Sequence, residues 1–232
     1  NNTFKFKLKL SRRKNILKIF VLNFSGEVDS LIDTIKYLPP PDIVRGDPNL
    51  KMVAFTFDAH EFHKPNKKLL EILAKYGIQA TFFFTGGFIE TYPDYVRKVV
   101  KLGHEVGNHT YTHPHLTTLE INGRQDTRLA IDKDLLQDEL KLTNEIFHEV
   151  TGEDMVPYWR APFGEQNAEL RAWALEIGYL HINWTIDVLD WVEDETSPLY
   201  LSDKEIKSKI LHSSKLPGSI ILCHASSHRM DN

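Results

Sequence analysis

From residue 51 onward, short runs of β-branched and aromatic residues alternate with stretches whose apolar positions recur every three or four residues. The runs at 53–59, 80–84, 105–107, 155–159, 180–185 and 219–223 predict strands, and the amphipathic stretches at 66–76, 93–102, 134–150, 167–177 and 202–212 predict helices. The runs carry little polar alternation, the mark of strands buried on both faces in a parallel sheet covered by helices. They never separate into two blocks, which favours closure into an irregular β/α barrel over an open doubly wound sheet.

The first forty residues follow another pattern. Phe4, Phe6, Leu8 and Leu10 alternate with Lys5, Lys7 and Lys9, as in a half-exposed strand with lysine on its wet face. Residues 16–24 predict a second strand; the run is too short to span a bilayer, and no small-residue cleavage site follows it. Val28, Leu31, Ile32, Ile35 and Leu38 have helical spacing, so 27–38 predicts a helix stopped by Pro39-Pro40-Pro41. The expected organisation is an appendage and linker over 1–44 and a main domain over 45–232.

Composition narrows the function classes. A net charge of −4 and a pI near 6.3 give no basic field for a nucleic-acid backbone. The single cysteine, Cys223, excludes an intrachain disulfide framework and a multi-cysteine zinc site. Histidine is the informative residue, because several of the eleven fall in clusters at metal-ligand spacing.

Candidate chemistry collects where strands end. Asp58 closes the apolar run 53–57, at the end of a parallel strand where α/β folds build their sites; capping of the next helix is its plain structural role. His109 and His113 stand four apart in Gly107-Asn108-His109-Thr110-Tyr111-Thr112-His113-Pro114-His115 and can share a metal across a tight turn. Thr110 stands where a zinc-protease helix needs glutamate, so that mechanism is excluded. Arg160 opens Arg160-Ala161-Pro162-Phe163-Gly164 and can pin a carboxylate, while the turn after it can expose backbone N–H groups. Asp187-Val188-Leu189-Asp190-Trp191 follows one more strand, and His224 ends the run 220–223. Singly these residues read as a surface ion pair, a core aromatic and a loop histidine; their ordered recurrence at strand ends argues for one site.

These five stretches, in this order, resemble the motifs of the polysaccharide deacetylases, the NodB-homology domain or carbohydrate esterase family four. The resemblance runs from about residue 45 to the C-terminus. It implies a distorted β/α barrel and removal of acetyl groups from N-acetylglucosamine-containing polysaccharides such as peptidoglycan or chitin. It also implies a divalent metal, zinc first and cobalt or another transition metal second, and a place outside the cell or in its envelope. Carried over by position, Asp58 is the general base, His109 and His113 are metal ligands, and His224 is the general acid. Arg160 holds the base, Asp190 tunes the acid, and Phe163, Trp191 and Leu222 shape the acetyl pocket.

Two departures stand out. The family's first motif has a second aspartate that ligates the metal, and here it is Ala59, followed by His60 in place of glycine. The loss of an anionic ligand weakens a two-histidine site unless His60, Glu61 or His63 substitutes. The family also continues past the His224 strand with another helix and strand, so the domain is expected to be shortened at its C-terminus. Two alternatives follow: a carbohydrate-binding pseudoenzyme, and a metal-independent hydrolase of cyclic amides on the same barrel, for which the histidine pair has no use.

Overall fold

The computed structural model describes residues 13–22, 28–37, 39–227 and 229. The chain divides into two compact units, Asn1–Pro40 and Pro41–Asn232.

In the first unit, β1 (Arg13–Leu22) pairs antiparallel with β2 (Val28–Tyr37), with Arg13 opposite Tyr37 and Leu22 opposite Val28. The helix predicted at 27–38 is therefore a strand. Its apolar spacing suits either state, but Val28, Ile32, Thr34, Ile35 and Tyr37 are strand formers, and a partner of equal length pairs with all ten residues. The strand predicted at 4–10 lies outside the described residues.

The second unit alternates strand and helix. In chain order it runs β3 (Ala54–Ala59), α1 (Lys67–Tyr76), β4 (Thr81–Phe84), α2 (Gly86–Thr91), α3 (Pro93–Lys101), β5 (Glu105–Asn108), α4 (Leu119–Asn122) and α5 (Lys133–Thr151). It continues with β6 (Tyr158–Trp159), α6 (Ala168–Leu175), β7 (Leu180–His181), β8 (Ile186–Asp187), α7 (Asp203–Leu211) and β9 (Ile220–His224). The seven strands β3 to β9 form one parallel sheet, ordered β7-β6-β5-β4-β3-β9-β8 and curled into a half-barrel. This is the irregular β/α barrel that the strand pattern predicts.

Strand alternation divides the central strands between two environments. Phe57, Ala59, Phe82 and Phe84 point into the main core, among Leu70, Phe88, Val96 and Val99 from the covering helices. Thr56, Asp58 and Phe83 occupy the alternate positions, where Phe83 packs with Ile182 and Ile220 and against Arg160. The helices begin where the sequence provides caps. Asn66 accepts from Lys68 N at the start of α1, and Asp132 accepts from Leu135 N at the start of α5.

The structure is more broken than the pattern around the later strands. The runs at 155–159 and 180–185 supply only the two-residue strands β6 and β7. Pro157 has no N–H for the ladder, and beyond His181 the chain turns to another partner. That partner is the segment at 42–45: Ile43 bridges to Ile182, its N–H donates to His181 O at 3.2 Å, and Asn183 N donates to Ile43 O at 2.8 Å. Arg45 bridges to Ser219 beside β9 and donates to Lys215 O and Pro217 O, so the segment spans the seam of the half-barrel. Three elements escape prediction, α2 because it begins with two glycines, and α4 and β8 because they are only four and two residues long. Gly86 is required there, since a Cβ would lie 1.9 Å from the Tyr111 ring.

Candidate active site

The loops at the C-terminal ends of the strands surround a cavity of about 410 Å³. Asp58, His109, His113, Phe163, Trp191, Leu222 and His224 all line it. Arg160 and Asp190 stand behind them, each bonded to a lining residue. All nine sequence-selected residues thus come together.

Asp58 is the penultimate residue of β3, where the parallel ladder puts it in register with His224 at the end of β9. Arg160, wholly buried, donates from Nη1 to Asp58 Oδ1 at 2.7 Å and to Thr56 Oγ1 at 2.9 Å. Its Nε donates to Ile182 O and its other Nη to Asn183 O, and its plane lies over Phe83. A buried ion pair with its donors satisfied in this way fixes a carboxylate's direction, and breaking one costs about 3–5 kcal/mol. Asp58 therefore presents Oδ2 to the cavity with little freedom.

His109 and His113 sit in a strained turn: Thr110 and His113 have φ of 67° and 56°, left-handed values rare for non-glycine residues. Glu139 on α5 holds that turn by accepting from Tyr111 N, Thr112 N and Thr112 Oγ1. The His109 Nδ1–H donates to Arg160 O at 2.8 Å, which leaves the lone pair on Nε2 facing Asp58 Oδ2 at 3.7 Å. Burial pushes His109 down to about 3 and, with His109 as neighbour, His113 to about 2, so both imidazoles are neutral at physiological pH.

His224 has the opposite electrostatic setting. Its backbone N–H donates to Asp190 Oδ2 and its Nδ1–H to Asp190 Oδ1, each at 2.8 Å. Burial opposes its charge, but the bond and charge of Asp190, supported by Asp58 and Asp187, prevail and raise its pKa above the ordinary value. Nε2, with a proton to give, is left for the cavity.

The donor set suits a divalent cation. The rings of His109 and His113 have centroids 4.9 Å apart, and two imidazoles on one ion at ~2.1 Å bring their centres to about 5 Å. Two lone-pair atoms, His109 Nε2 and Asp58 Oδ2, also face each other with no proton between them, a repulsion that a cation relieves. His60 lines the same cavity with its ring 5.3 Å from His113, and its buried Nδ1 has no hydrogen-bond partner among the described residues. Among those residues no three His, Cys, Asp or Glu side chains are gathered closely enough to enclose an ion. Ala59 is fully buried in the main core and does not line the cavity.

Several supports carry no signal that a sequence reading can use. Glu139 is one charged position among several on α5. Glu165, buried, accepts from Thr117 N and bonds His115, whose ring stacks on Phe163 at 4.0 Å. Trp184 lines the cavity from an irregular stretch, whereas His60 and His63, which the sequence offered as substitute ligands, also line its wall.

Comparison with known proteins gives this constellation its context. The family model of polysaccharide deacetylases matches residues 45–182, more than half of the chain. The chain belongs to that family. It is 30% identical over 182 residues to a peptidoglycan-N-acetylglucosamine deacetylase of Bacillus cereus, covering 78% of this chain and 58% of that protein. It is 31% identical over 172 residues to a chitooligosaccharide deacetylase of Rhizobium leguminosarum, covering 74% and 70%. Among solved structures it is similar to a CE4 family pseudoenzyme from Bacillus anthracis, with a TM-score of 0.67, 26% identity, and coverage of 84% of this chain and 64% of that one. A mutant of that pseudoenzyme described as having restored enzymatic activity matches at the same TM-score. The chain spans about three fifths of the length of the first curated relatives it matches.

Proposed function

We propose that this polysaccharide deacetylase domain hydrolyses N-acetyl groups on an N-acetylglucosamine-containing polysaccharide of the cell envelope, releasing acetate. The observation that carries the reading is the pairing of two oppositely prepared groups on neighbouring strands. Asp58 is held as an acceptor by Arg160, and His224 is held as a donor by Asp190. Amide hydrolysis needs both, one to take a proton from the attacking water and one to give a proton to the departing amine.

His109 and His113 would hold a divalent ion, which would supply Lewis acidity for the acetyl carbonyl and the attacking water. Asp58 takes the water's proton through Oδ2, the oxygen left open by Arg160. The backbone N–H beside Phe163 stabilises the developing oxyanion. His224 donates from Nε2 to the leaving nitrogen while Asp190 holds the imidazolium. The side chains of Phe163, Trp191 and Leu222 enclose the methyl group and the sugar face.

A second reading is a pseudoenzyme that retains the groove, and it is favoured by Ala59 and by the absence of a closed third ligand among the described residues. Acetate release from peptidoglycan, chitooligosaccharides and partially acetylated glucosamine polymers, with and without added zinc or cobalt, separates the two. Release that rises with metal supports the deacetylase. No release from any of these glycans at millimolar metal sinks it.

A further inference from the structure

The peptide unit joining Arg160 to Ala161 is held at both ends by histidines. Its carbonyl accepts the Nδ1–H of His109 at 2.8 Å, and its N–H donates to Nε2 of His181 at 3.2 Å. Burial lowers the pKa of His181, which is 2% exposed, so the ring is neutral and has one proton. With Nε2 accepting, that proton is on Nδ1, and it donates to Asp42 Oδ1 at 2.7 Å. Asp42 Oδ2 accepts from Gln166 Nε2 at 2.9 Å and Asn183 Nδ2 at 3.2 Å. Both oxygens therefore accept, which a carboxylate satisfies and an amide cannot. Neither Asp42 nor His181 has a part in the mechanism above, and Asp42 lies before the span that the family model matches.

We propose that Asp42 and His181 are positioning residues at the outer end of a hydrogen-bonded chain, from carboxylate to imidazole to peptide to imidazole, that strengthens His109 as a metal donor. The inference rests on the reading of His109 as a ligand. Each bond in such a chain polarises the next. The anion makes His181 Nε2 a stronger acceptor, which draws on the Ala161 N–H and leaves the Arg160 carbonyl richer in negative charge. That carbonyl then pulls harder on the His109 Nδ1–H, and Nε2 becomes the better donor, as a carboxylate does when it bonds a ligating histidine directly. The chain thereby supplies from outside the site part of the negative charge that Ala59 takes from the first motif. It also fixes a proton. Without the anion, His181 can carry its proton on Nε2, where it meets the Ala161 N–H head-on and displaces the turn that bears Arg160 and Phe163.

The test uses the full chain, with zinc titrated calorimetrically into the parent, Asp42→Asn, His181→Gln and His109→Ala, and melting temperatures measured alongside. Nitrogen-15 NMR of the metal-free parent reads the imidazole tautomers directly. We expect His181 to carry its proton on Nδ1, and Asp42→Asn to bind zinc about tenfold more weakly. His181→Gln keeps an acceptor for the Ala161 N–H but loses the anionic link; it should show a similar loss and serves as the arm that decides if Asp42→Asn does not fold. Affinities within twofold of the parent in both variants, with binding lost in His109→Ala, overturn the chain and leave the metal reading standing. A proton on Nε2 of His181 in the parent overturns it directly. Zinc affinity unchanged in His109→Ala, or no zinc binding by the parent at millimolar concentration, overturns the metal reading and the chain with it.

Discussion

His109, buried, and His224, half-buried, stand at strand ends around one cavity, yet the protein holds them in opposite states. Burial pushes each toward neutrality. At Nδ1, His109 meets a backbone carbonyl, which fixes a tautomer but adds only a partial charge, and the ring stays neutral. His224 meets a carboxylate there and is held toward its charged form. The group bonded to Nδ1 therefore decides whether the exposed Nε2 presents a lone pair or a proton. In the proposed mechanism one residue type is metal donor on one strand and acid on another, and this contrast can be broken by exchanging partners.

The largest effect is expected where the two settings meet. Asp58 faces Nε2 of His109 and stands in register with His224, so Asp58→Asn removes the proton acceptor while keeping the shape. We expect about a 10³-fold loss in kcat/KM, measured well below a melting temperature that falls because the buried Arg160 loses its countercharge while keeping a hydrogen-bond acceptor. Activity within a few-fold of the parent removes Asp58 from the role of base.

Next comes the acid. Because the pKa of His224 is raised, the group is protonated below that value, and turnover falls as pH rises through it. Asp190→Asn leaves burial opposed only by the more distant charges of Asp58 and Asp187, so the descending limb of the pH–kcat profile should move to lower pH, with kcat down about 100-fold at neutral pH. The stability linked to the raised pKa follows the same sign: present in full below the unfolded pKa, lost as pH rises through the folded one. A profile with an unmoved alkaline limb means that another group supplies the proton.

A smaller loss is expected from the support of the histidine turn. Glu139→Gln keeps one acceptor for Tyr111 N and Thr112 N but gives up the charge that holds a strained segment. Metal affinity should fall about tenfold, by analogy with other residues that orient ligands. Unchanged affinity would mean that the turn at Thr110 and His113 holds itself.

These supports mark the limit of what the chain's pattern discloses. Asp58, Arg160 and His224 were legible because each follows an apolar run, where a polar residue breaks a strong local rule, whereas Trp191 and Leu222 were assigned only through the resemblance. The barrel was legible from the runs themselves. Glu139, Glu165 and His181 break no rule where they stand, and their roles arise only when elements far apart in sequence pack together. The hairpin strand at 28–37 was misread because ten residues with apolar positions at 28, 31, 32 and 35 satisfy two periods at once, and only pairing with 13–22 selects one.

The smallest expected effect concerns Ala59, and it decides between enzyme and pseudoenzyme. The side chain is fully buried among Phe57, Phe84 and their neighbours, so Ala59→Asp places a carboxylate at the edge of an apolar cluster. Without metal it has no partner of opposite charge there and is held in its neutral acid form, whose burial costs about 1–3 kcal/mol, a drop of several degrees in melting temperature. If the side chain turned toward His109 and His113, a bound metal would compensate its charge, and ligand binding to the folded state alone returns stability in proportion to occupancy. The zinc-induced rise in melting temperature should therefore be larger in Ala59→Asp than in the parent, although the variant starts lower. A parent that already rises with zinc and releases acetate uses the two histidines with another donor, and His60→Ala should then reduce that rise. If the parent shows no rise while Ala59→Asp shows both a rise and acetate release, the wild-type chain is a pseudoenzyme one side chain away from activity. Equal rises in the two proteins mean that the carboxylate at 59 stays in the core and does not reach the ion.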